Sequence, residues 1–253
     1  MHQFSGQVAG VETLGPALHI IWLVAPELLA MGSGQFVLAR CSDSFDPLLR
    51  RGLSLHQRRA DGAHGFLFGT SKAWGRWLAA RRPGDHVDLI GPLGRGFRRE
   101  PTAHRLLMIA EGLGIAPLVA LAEEAVAAGC AVTLLQDAPT ASRLYPRQRL
   151  PEAVRVVSYT ADGSAGRPGR VLDGLAEWQE AADQLFVAGS ARLLADLRVR
   201  LAPVAARLPV QVMVEERMAC GVGACLGCVV FTVEGPVASC VEGPVFDLWR
   251  LTG

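Results

Sequence analysis

Short apolar stretches separated by turn residues fill the first hundred residues. Six of them are rich in apolar, β-branched or aromatic residues and are predicted to be strands: Val8–Val11, Ala17–Val24, Gln35–Ala39, Gly52–Leu55, Gly65–Phe68 and His86–Ile90. Glycine and proline turns lie between them, and one helix is predicted at Lys72–Arg81. Short strands at such regular spacing favour a small antiparallel barrel.

From about residue 103 the pattern changes to strands that alternate with helices. The predicted strands are Arg105–Ala110, Val132–Gln136, Val154–Tyr159, Gln184–Ala188 and Pro209–Val214, and the predicted helices are Ala116–Ala128, Val171–Ala181 and Ala191–Leu201. Strand–helix alternation of this kind predicts a parallel sheet with helices on its faces. The expected fold class is therefore α+β with several domains: an antiparallel β-barrel at 1–100, an α/β domain at 101–209 and a small C-terminal domain at 210–253.

Composition and charge exclude several kinds of partner. The 253 residues include 25 basic and 24 acidic side chains, and the net charge of +1 gives no field directed at nucleic acid or an anionic membrane. No apolar run is long enough to span a bilayer, and Met1–Gly6 lacks the pattern of a secretory signal. A cytoplasmic, reducing location is therefore expected, and the six cysteines need an explanation other than disulfides.

Four of the cysteines crowd into the C-terminal segment in the order C-x4-C-x2-C, followed by a fourth after eleven residues: Cys220, Cys225, Cys228 and Cys240. This order is that of plant-type 2Fe–2S ligation. Gly221, Gly223 and Gly227 allow the loop to turn its backbone N–H groups toward sulfur. A hairpin of Val229–Val233 with Pro236–Ser239 would return the fourth thiol to the first three.

Three other readings of these cysteines stay open. Disulfides are disfavoured by the expected compartment. A structural zinc ion accepts four thiolates, but such sites more often use two short paired knuckles than a lone fourth cysteine. Unligated cysteines would be core residues, as is expected for Cys41 and Cys130, yet glycine-rich loops make poor core.

The stretch Glu215–Cys228, together with Cys240–Phe246, resembles the electron-transfer subunits of NAD-dependent, heteromeric dihydroorotate dehydrogenases, which belong to the ferredoxin–NADP reductase superfamily. The order of domains matches over essentially the whole chain. The resemblance implies FAD in the barrel, one 2Fe–2S cluster on the four cysteines and NAD as the electron acceptor of the α/β domain. It also implies a catalytic partner subunit that carries FMN and oxidises dihydroorotate, in a heterotetramer.

The resemblance also assigns flavin-binding residues. The superfamily's Arg-x-x-Ser signature is matched by Arg51, Gly52, Leu53 and Ser54, with Gly52 where the family usually has proline. An arginine fork would hold the pyrophosphate while the serine and the backbone contact the flavin ring. The superfamily's second flavin element is a Gly-Thr pair that opens a helix, and Gly69 and Thr70 match it literally. If the alignment starts instead from the turn Pro83-Gly84-Asp85, Ser71–Trp74 stands at this position.

For the nicotinamide nucleotide, the resemblance points to the glycines after the first strand of the α/β domain. Gly112 and Gly114 match, while Glu111 places a carboxylate where a phosphate would approach. The family's Cys-Gly-Pro element is replaced by Ala188-Gly189-Ser190, whereas the loop Asp162–Ser164 agrees with the family.

The function implied is that of an oxidoreductase subunit of pyrimidine biosynthesis. Electrons from dihydroorotate would pass through the cluster and FAD to NAD, and no acid–base catalytic residue is expected in this chain, since the redox chemistry belongs to the cofactors. A diaphorase-type subunit of another oxidoreductase is the nearest alternative. A non-catalytic zinc or iron–sulfur protein with a degenerate nucleotide site is the other.

Overall fold

The first six strands close into an antiparallel barrel in the computed structural model, which describes residues 2–252. They are β1 (His2–Thr13), β2 (Leu18–Val24), β3 (Phe36–Ala39), β4 (Arg51–Arg58), β5 (His64–Gly69) and β6 (His86–Leu93), paired in the order β1-β2-β5-β4-β3-β6. Alternate side chains point inward, so that Leu53 and Leu55 of β4 meet Ile21, Leu23 and Phe66 in the interior. The predicted barrel is confirmed.

Strand β1 extends well beyond the predicted Val8–Val11. The polar stretch before Val8 pairs with β6, from His2 opposite Gly91 to Gln7 opposite His86. Backbone hydrogen bonds continue there although Phe4 is the only large apolar side chain before Val8 within the strand, which is why periodicity alone predicts too short a strand. Helix α1 (Ala73–Ala79) follows β5 and is shorter than the predicted Lys72–Arg81.

A second sheet of seven strands follows the barrel. Its members are β7 (Arg105–Glu111), β8 (Ala131–Ala138), β9 (Arg155–Thr160), β10 (Arg167–Pro168), β11 (Gln184–Ala188), β12 (Val210–Met213) and β15 (Val245–Asp247), in the order β10-β9-β8-β7-β11-β12-β15. All neighbours pair in parallel except β15, which runs antiparallel to β12. The parallel sheet is as predicted; β10 and β15 were not expected.

Helices cover both faces of this sheet. Helix α2 (Ile115–Ala127) lies between the sheet and the barrel, where Leu118 shares one apolar cluster with Trp22 of β2 and Met108 of β7. Helix α4 (Ala191–Leu201) packs Leu197 against Val187 on the opposite face. Within residues 2–252, none of the helices is long and apolar enough to cross a membrane.

The helix predicted at Val171–Ala181 is wrong in length and type. A 3-10 turn at Val171–Gly174 precedes a short helix α3 (Leu175–Gln179). Gly174 approaches the hydroxyl of Tyr159 so closely that a Cβ there would overlap the hydroxyl oxygen. The turn is therefore set by contact with β9, which apolar periodicity does not reveal.

The C-terminal segment forms a hairpin that leads back to the second sheet. Strands β13 (Val229–Thr232) and β14 (Gly235–Ala238) pair as predicted, and helix α5 (Ser239–Glu242) follows. Strand β15 then aligns Val245 with Met213 of β12. The cysteine segment is thus held at both ends by the same edge of the sheet.

A buried histidine joins the barrel to α2. His56 of β4 is fully buried, and its Nδ1 lies 2.9 Å from the carbonyl oxygen of Ala116. A carbonyl can only accept, so Nδ1 carries the proton and Nε2 accepts from the hydroxyl of Tyr145 at 3.0 Å. Burial lowers the pKa of His56 from 6.5 to about 4, so the ring is neutral at physiological pH.

We expect the free energy of unfolding to fall as the pH drops from about 6.5 towards about 4, because the unfolded chain then binds a proton at His56 that the folded chain excludes. His56→Gln should lack this part of the pH dependence, since an amide can make the same two hydrogen bonds without titrating. Urea unfolding of both proteins at about pH 7 and about pH 5, followed by tryptophan fluorescence, measures it. Equal losses of stability in the two proteins would contradict the assignment.

Candidate functional site

The loop between β12 and β13 directs backbone N–H groups at cysteine sulfur atoms. Gly223 N–H donates to Sγ of Cys240 at 3.2 Å, and Val222 N–H donates to Sγ of Cys220 at 3.4 Å. The backbone N–H of Cys240 in turn donates to Sγ of Cys228 at 3.4 Å. Such donors stabilise negative charge on sulfur, as thiolate ligands of a metal centre require.

The four thiols are arranged as two interacting pairs. Hydrogen bonds from the N–H groups of Val222 and Cys225 lower the pKa of Cys220 from 9.0 to about 6, and the Cys225 thiol adds to this effect. Burial, together with the neighbouring Cys228, raises the pKa of Cys240 to about 11. Within residues 2–252, no three His, Cys, Asp or Glu side chains are grouped closely enough to hold a single metal ion.

The two pairs differ in their surroundings. Cys228 and Cys240 are buried against Phe36, Leu38 and Leu93 of the barrel strands β3 and β6. Cys225 is exposed and Cys220 is half-buried. One side of the cysteine loop therefore rests on the barrel, and the other side faces solvent.

A glycine sets how closely this loop approaches the barrel. Gly221 has a φ of +73°, and a Cβ built on it would lie 2.9 Å from Cδ1 of Leu93 and 3.0 Å from Cδ1 of Leu38. A short ion pair of 2.7 Å between Arg95 and Glu242 joins the barrel to α5 nearby. The loop can take this position only with glycine at residue 221.

A cavity of about 300 Å³ opens where the barrel, α2 and the cysteine segment meet. Gly52, Leu53 and Ser54 of β4 form one wall, and Gly114 stands opposite at the start of α2. The other walls are mostly apolar and come from every part of the chain: Phe36, Phe68, Trp74, Pro117, Met213 and Met218. Four of the predicted site residues, Gly52, Leu53, Ser54 and Gly114, therefore border one space.

A smaller cavity of about 150 Å³ adjoins the first. Gly69 and Thr70 border it from the barrel, Gly112 borders it from the α/β domain, and Arg143 supplies a positive charge. Leu113 borders both cavities and separates them.

Residues of both possible matches to the second flavin element, Gly69-Thr70 and Ser71–Trp74, border these cavities. Gly69 and Thr70 precede α1 and do not open it, since Lys72 is its N-terminal cap. Ser71 borders the smaller cavity and Trp74 the larger one. Arg51 borders neither cavity, but its Nε is buried and has no hydrogen-bond partner among the described residues.

The carboxyl ends of β7 and β11 carry a polar cluster that the sequence did not predict. The carboxylate of Glu111 accepts the N–H of Ser190 at 2.8 Å and forms an ion pair with Arg170. Burial alone would raise the pKa of Glu111, but the bonds from Ser190 and the charge of Arg170 lower it below its usual value. No sequence signal linked Glu111 to Arg170, because 59 residues separate them.

Comparison with known proteins finds relatives of one family along nearly the whole chain. The model of the iron–sulfur cluster binding domain of dihydroorotate dehydrogenase B matches residues 215–252. The electron transfer subunit of dihydroorotate dehydrogenase B (NAD(+)) from Desulforamulus reducens is 35% identical over 98% of this chain and 97% of its own length. The protein of the same name from Bacillus caldolyticus is 35% identical over 84% of each chain. These relatives confirm the resemblance seen in the cysteine motif.

Solved structures share the fold at lower identity. A chain of the NADH-dependent reduced ferredoxin–NADP oxidoreductase aligns with a TM-score of 0.85 and 21% identity, over 98% of this chain and 89% of its own. A ferredoxin NADP+ reductase from Neisseria gonorrhoeae, crystallised with FAD and NADP, aligns with a TM-score of 0.68 and 17% identity, over 84% of this chain and 99% of its own.

We expect Gly221→Ala to loosen the cysteine loop from the barrel, at a cost of about 1–3 kcal/mol, because the added methyl group meets Leu93 and Leu38. Gly129→Ala is the matched control: its φ is +78°, but nothing lies within 4 Å of the added Cβ. Hydrogen exchange of peptides from residues 215–230 measures the effect. Exchange of residues 215–230 that is no faster in Gly221→Ala than in Gly129→Ala and the wild-type chain would contradict the contact with the barrel.

Proposed function

The chain belongs to the family of electron transfer subunits of NAD(+)-dependent dihydroorotate dehydrogenase B, and from this premise we propose that it carries electrons removed from dihydroorotate by a partner subunit to NAD. When bound, a 2Fe–2S cluster and FAD would supply the change from one-electron to two-electron transfer. The chain's own residues hold these groups at fixed positions, and no acid–base residue is needed for that task.

The observation that carries the proposal is that the larger cavity and the cysteine segment share side chains in their walls. Phe36 and Met218 border the 300 Å³ cavity and also pack against the cysteine pair Cys228 and Cys240. A group in the cavity and a group on the cysteines would therefore lie on opposite sides of the same side chains. Electron transfer between cofactors requires such proximity, and a purely structural metal site does not.

The cysteine segment fits a 2Fe–2S cluster better than a single zinc ion. Each iron of such a cluster takes two protein ligands, and the four cysteines of the segment supply that number in the order typical of plant-type clusters. Backbone N–H groups already point at three of the four sulfurs. We propose these four cysteines as the ligands of one cluster.

The two adjoining cavities fit an extended molecule such as FAD. In this proposal the flavin ring lies against Gly52–Ser54 in the larger cavity, and the phosphates lie toward Gly69 and Thr70, where Arg143 offers positive charge. Arg51 is assigned to this site from the superfamily signature, although its side chain borders neither cavity. NAD would approach from Gly112 and Gly114, at the carboxyl ends of β7 and β11.

Exposed apolar side chains around Cys225 support a protein partner at this face. Val222, Leu226 and Val241 are 44%, 65% and 42% exposed. Apolar side chains grouped around an exposed ligand are typical of an interface that excludes water. We propose that the FMN-carrying catalytic subunit binds here, in a heterotetramer.

The three segments expected from the sequence keep separate roles in this proposal. Residues 1–100 hold FAD, 101–209 bind NAD and 210–253 hold the cluster, although β15 pairs within the sheet of the middle segment. We propose a cytoplasmic location, because the thiolate ligands need a reducing compartment.

Anaerobically purified chain should contain about two irons, two acid-labile sulfides and one flavin. Cys225→Ser should lose most of the iron, because a serine hydroxyl replaces a thiolate ligand, while Cys130→Ser, at a buried cysteine outside the loop, should keep it. Metal and sulfide analysis with an absorption spectrum checks this. One zinc and no sulfide in the wild-type chain would refute the proposal.

The partner face can be tested without altering a ligand. Leu226 has a φ of +55°, a conformation that asparagine tolerates well, so Leu226→Asn should fold and still weaken binding of the catalytic subunit about tenfold. Val199→Asn, at a residue 77% exposed on α4, is the control and should bind normally. Titration calorimetry of each variant with the catalytic subunit measures the affinities. Equal affinities would place the interface elsewhere.

A further inference from the structure

The order of strands in the second sheet locates a ligand crevice independently of any motif. From β7 the sheet continues through β8, β9 and β10 on one side and through β11 and β12 on the other. In open parallel sheets, ligands bind outside the carboxyl ends of the strands at the point where this direction reverses. That point lies between β7 and β11, next to Glu111 and Ser190.

A side chain of the protein itself fills this crevice. Glu111 is the last residue of β7, and its carboxylate reaches across to the backbone N–H of Ser190. Ser190 is the N-terminal cap of α4, so the carboxylate lies at the positive end of that helix. Arg170 pairs with the same carboxylate from a third direction. The donors that would attract a phosphate here already have an anionic partner.

We infer that Glu111 controls how tightly the nucleotide crevice binds a pyridine dinucleotide. Its carboxylate occupies the place of a dinucleotide phosphate and holds Arg170. When the phosphate binds, it takes over this arginine. The inference rests on the proposed function, since it takes the crevice to be the NAD site. It adds that this chain binds pyridine dinucleotides weakly unless Glu111 moves away.

The charges facing Glu111 support this reading. Burial raises the pKa of Asp137 and of Glu215, and in both cases the negative charge of Glu111 raises it further. The field of Glu111 therefore reaches both neighbours in the crevice. An incoming pyrophosphate would meet the same repulsion, and like charges brought together are strongly unfavourable.

The ion pair is built so that it can open. The side chain of Arg170 is 46% exposed, whereas that of Glu111 is 19% exposed. An arginine at the surface can turn to a phosphate at little cost, because exposed ion pairs contribute little to stability. Its planar fork suits phosphate as well as carboxylate. Arg170 is thus the positive charge that can be passed from Glu111 to the ligand.

The test uses ADP-ribose, which contains the pyrophosphate but cannot exchange electrons. Glu111→Gln keeps the shape of the side chain and removes its charge, so the full chain carrying this change should bind ADP-ribose at least about tenfold more tightly than wild type in titration calorimetry. Glu111→Gly should do the same if the glutamine disturbs the strand end. Glu177→Gln, which breaks the comparable pair of Glu177 with Arg167, is the matched control and should leave the affinity unchanged.

The role of Arg170 is tested in the Glu111→Gln background. Adding Arg170→Met should weaken ADP-ribose binding again by about tenfold, because the phosphate loses its cation. Unchanged, weaker or undetectable binding in both Glu111 variants would overturn the inference. Iron, sulfide and flavin are measured in the same samples, so that loss of the proposed function is recognised separately from an affinity that does not change.

Discussion

The antiparallel pairing of β15 with β12 fixes where the cysteines lie. The chain leaves the sheet at Met213 and returns to it at Val245, directly alongside. The segment between them must fold back on itself, and the β13–β14 hairpin with α5 accomplishes this. This segment thereby packs Cys228 and Cys240 against the barrel. Without this return, the local cysteine spacing could form a metal loop, but the loop would have no fixed place beside the cavity.

A second constraint joins the barrel to the α/β domain. Helix α2 packs on both, and His56 adds a polar tie to Ala116 in its first turn. Ser54 lies two residues before His56 in the same strand, and Gly114 lies two residues before Ala116. The hydrogen bond therefore holds together the two walls of the larger cavity. Losing this bond would leave a ring nitrogen of the buried, neutral imidazole without a partner, which costs free energy.

The cavities and the crevice differ in electrostatic character. The larger cavity is lined mainly by apolar side chains, which suits a flat aromatic ring system. The crevice between β7 and β11 holds an internal carboxylate with its own arginine. The chain thus combines a largely apolar cavity with a crevice whose positive groups are already paired, within a fold that it shares with a ferredoxin NADP+ reductase.

What the sequence alone determined was local. The cysteine spacing predicted an iron–sulfur segment, which the family model over residues 215–252 confirms, and apolar periodicity predicted the barrel, the parallel sheet and helix α4 at its observed bounds, Ala191–Leu201. These signals work because each is carried by residues that lie close together in the chain, even where the strands they predict pair over long distances. The length of β1, the existence of β15 and the turn at Val171–Gly174 were not predicted from the sequence, because each depends on contact with another strand.

Only the tertiary structure decided which residues meet. The sequence placed Glu111 near a phosphate site but gave no sign of its contact with Arg170. No motif in the sequence linked His56 to Ala116. The Arg-x-x-Ser signature was correctly placed on a barrel strand, yet Arg51 turns out to border neither cavity while Ser54 borders the larger one. The reason is physical: side chains that meet across domains are set by packing angles and strand register, and neither can be read from one-dimensional spacing.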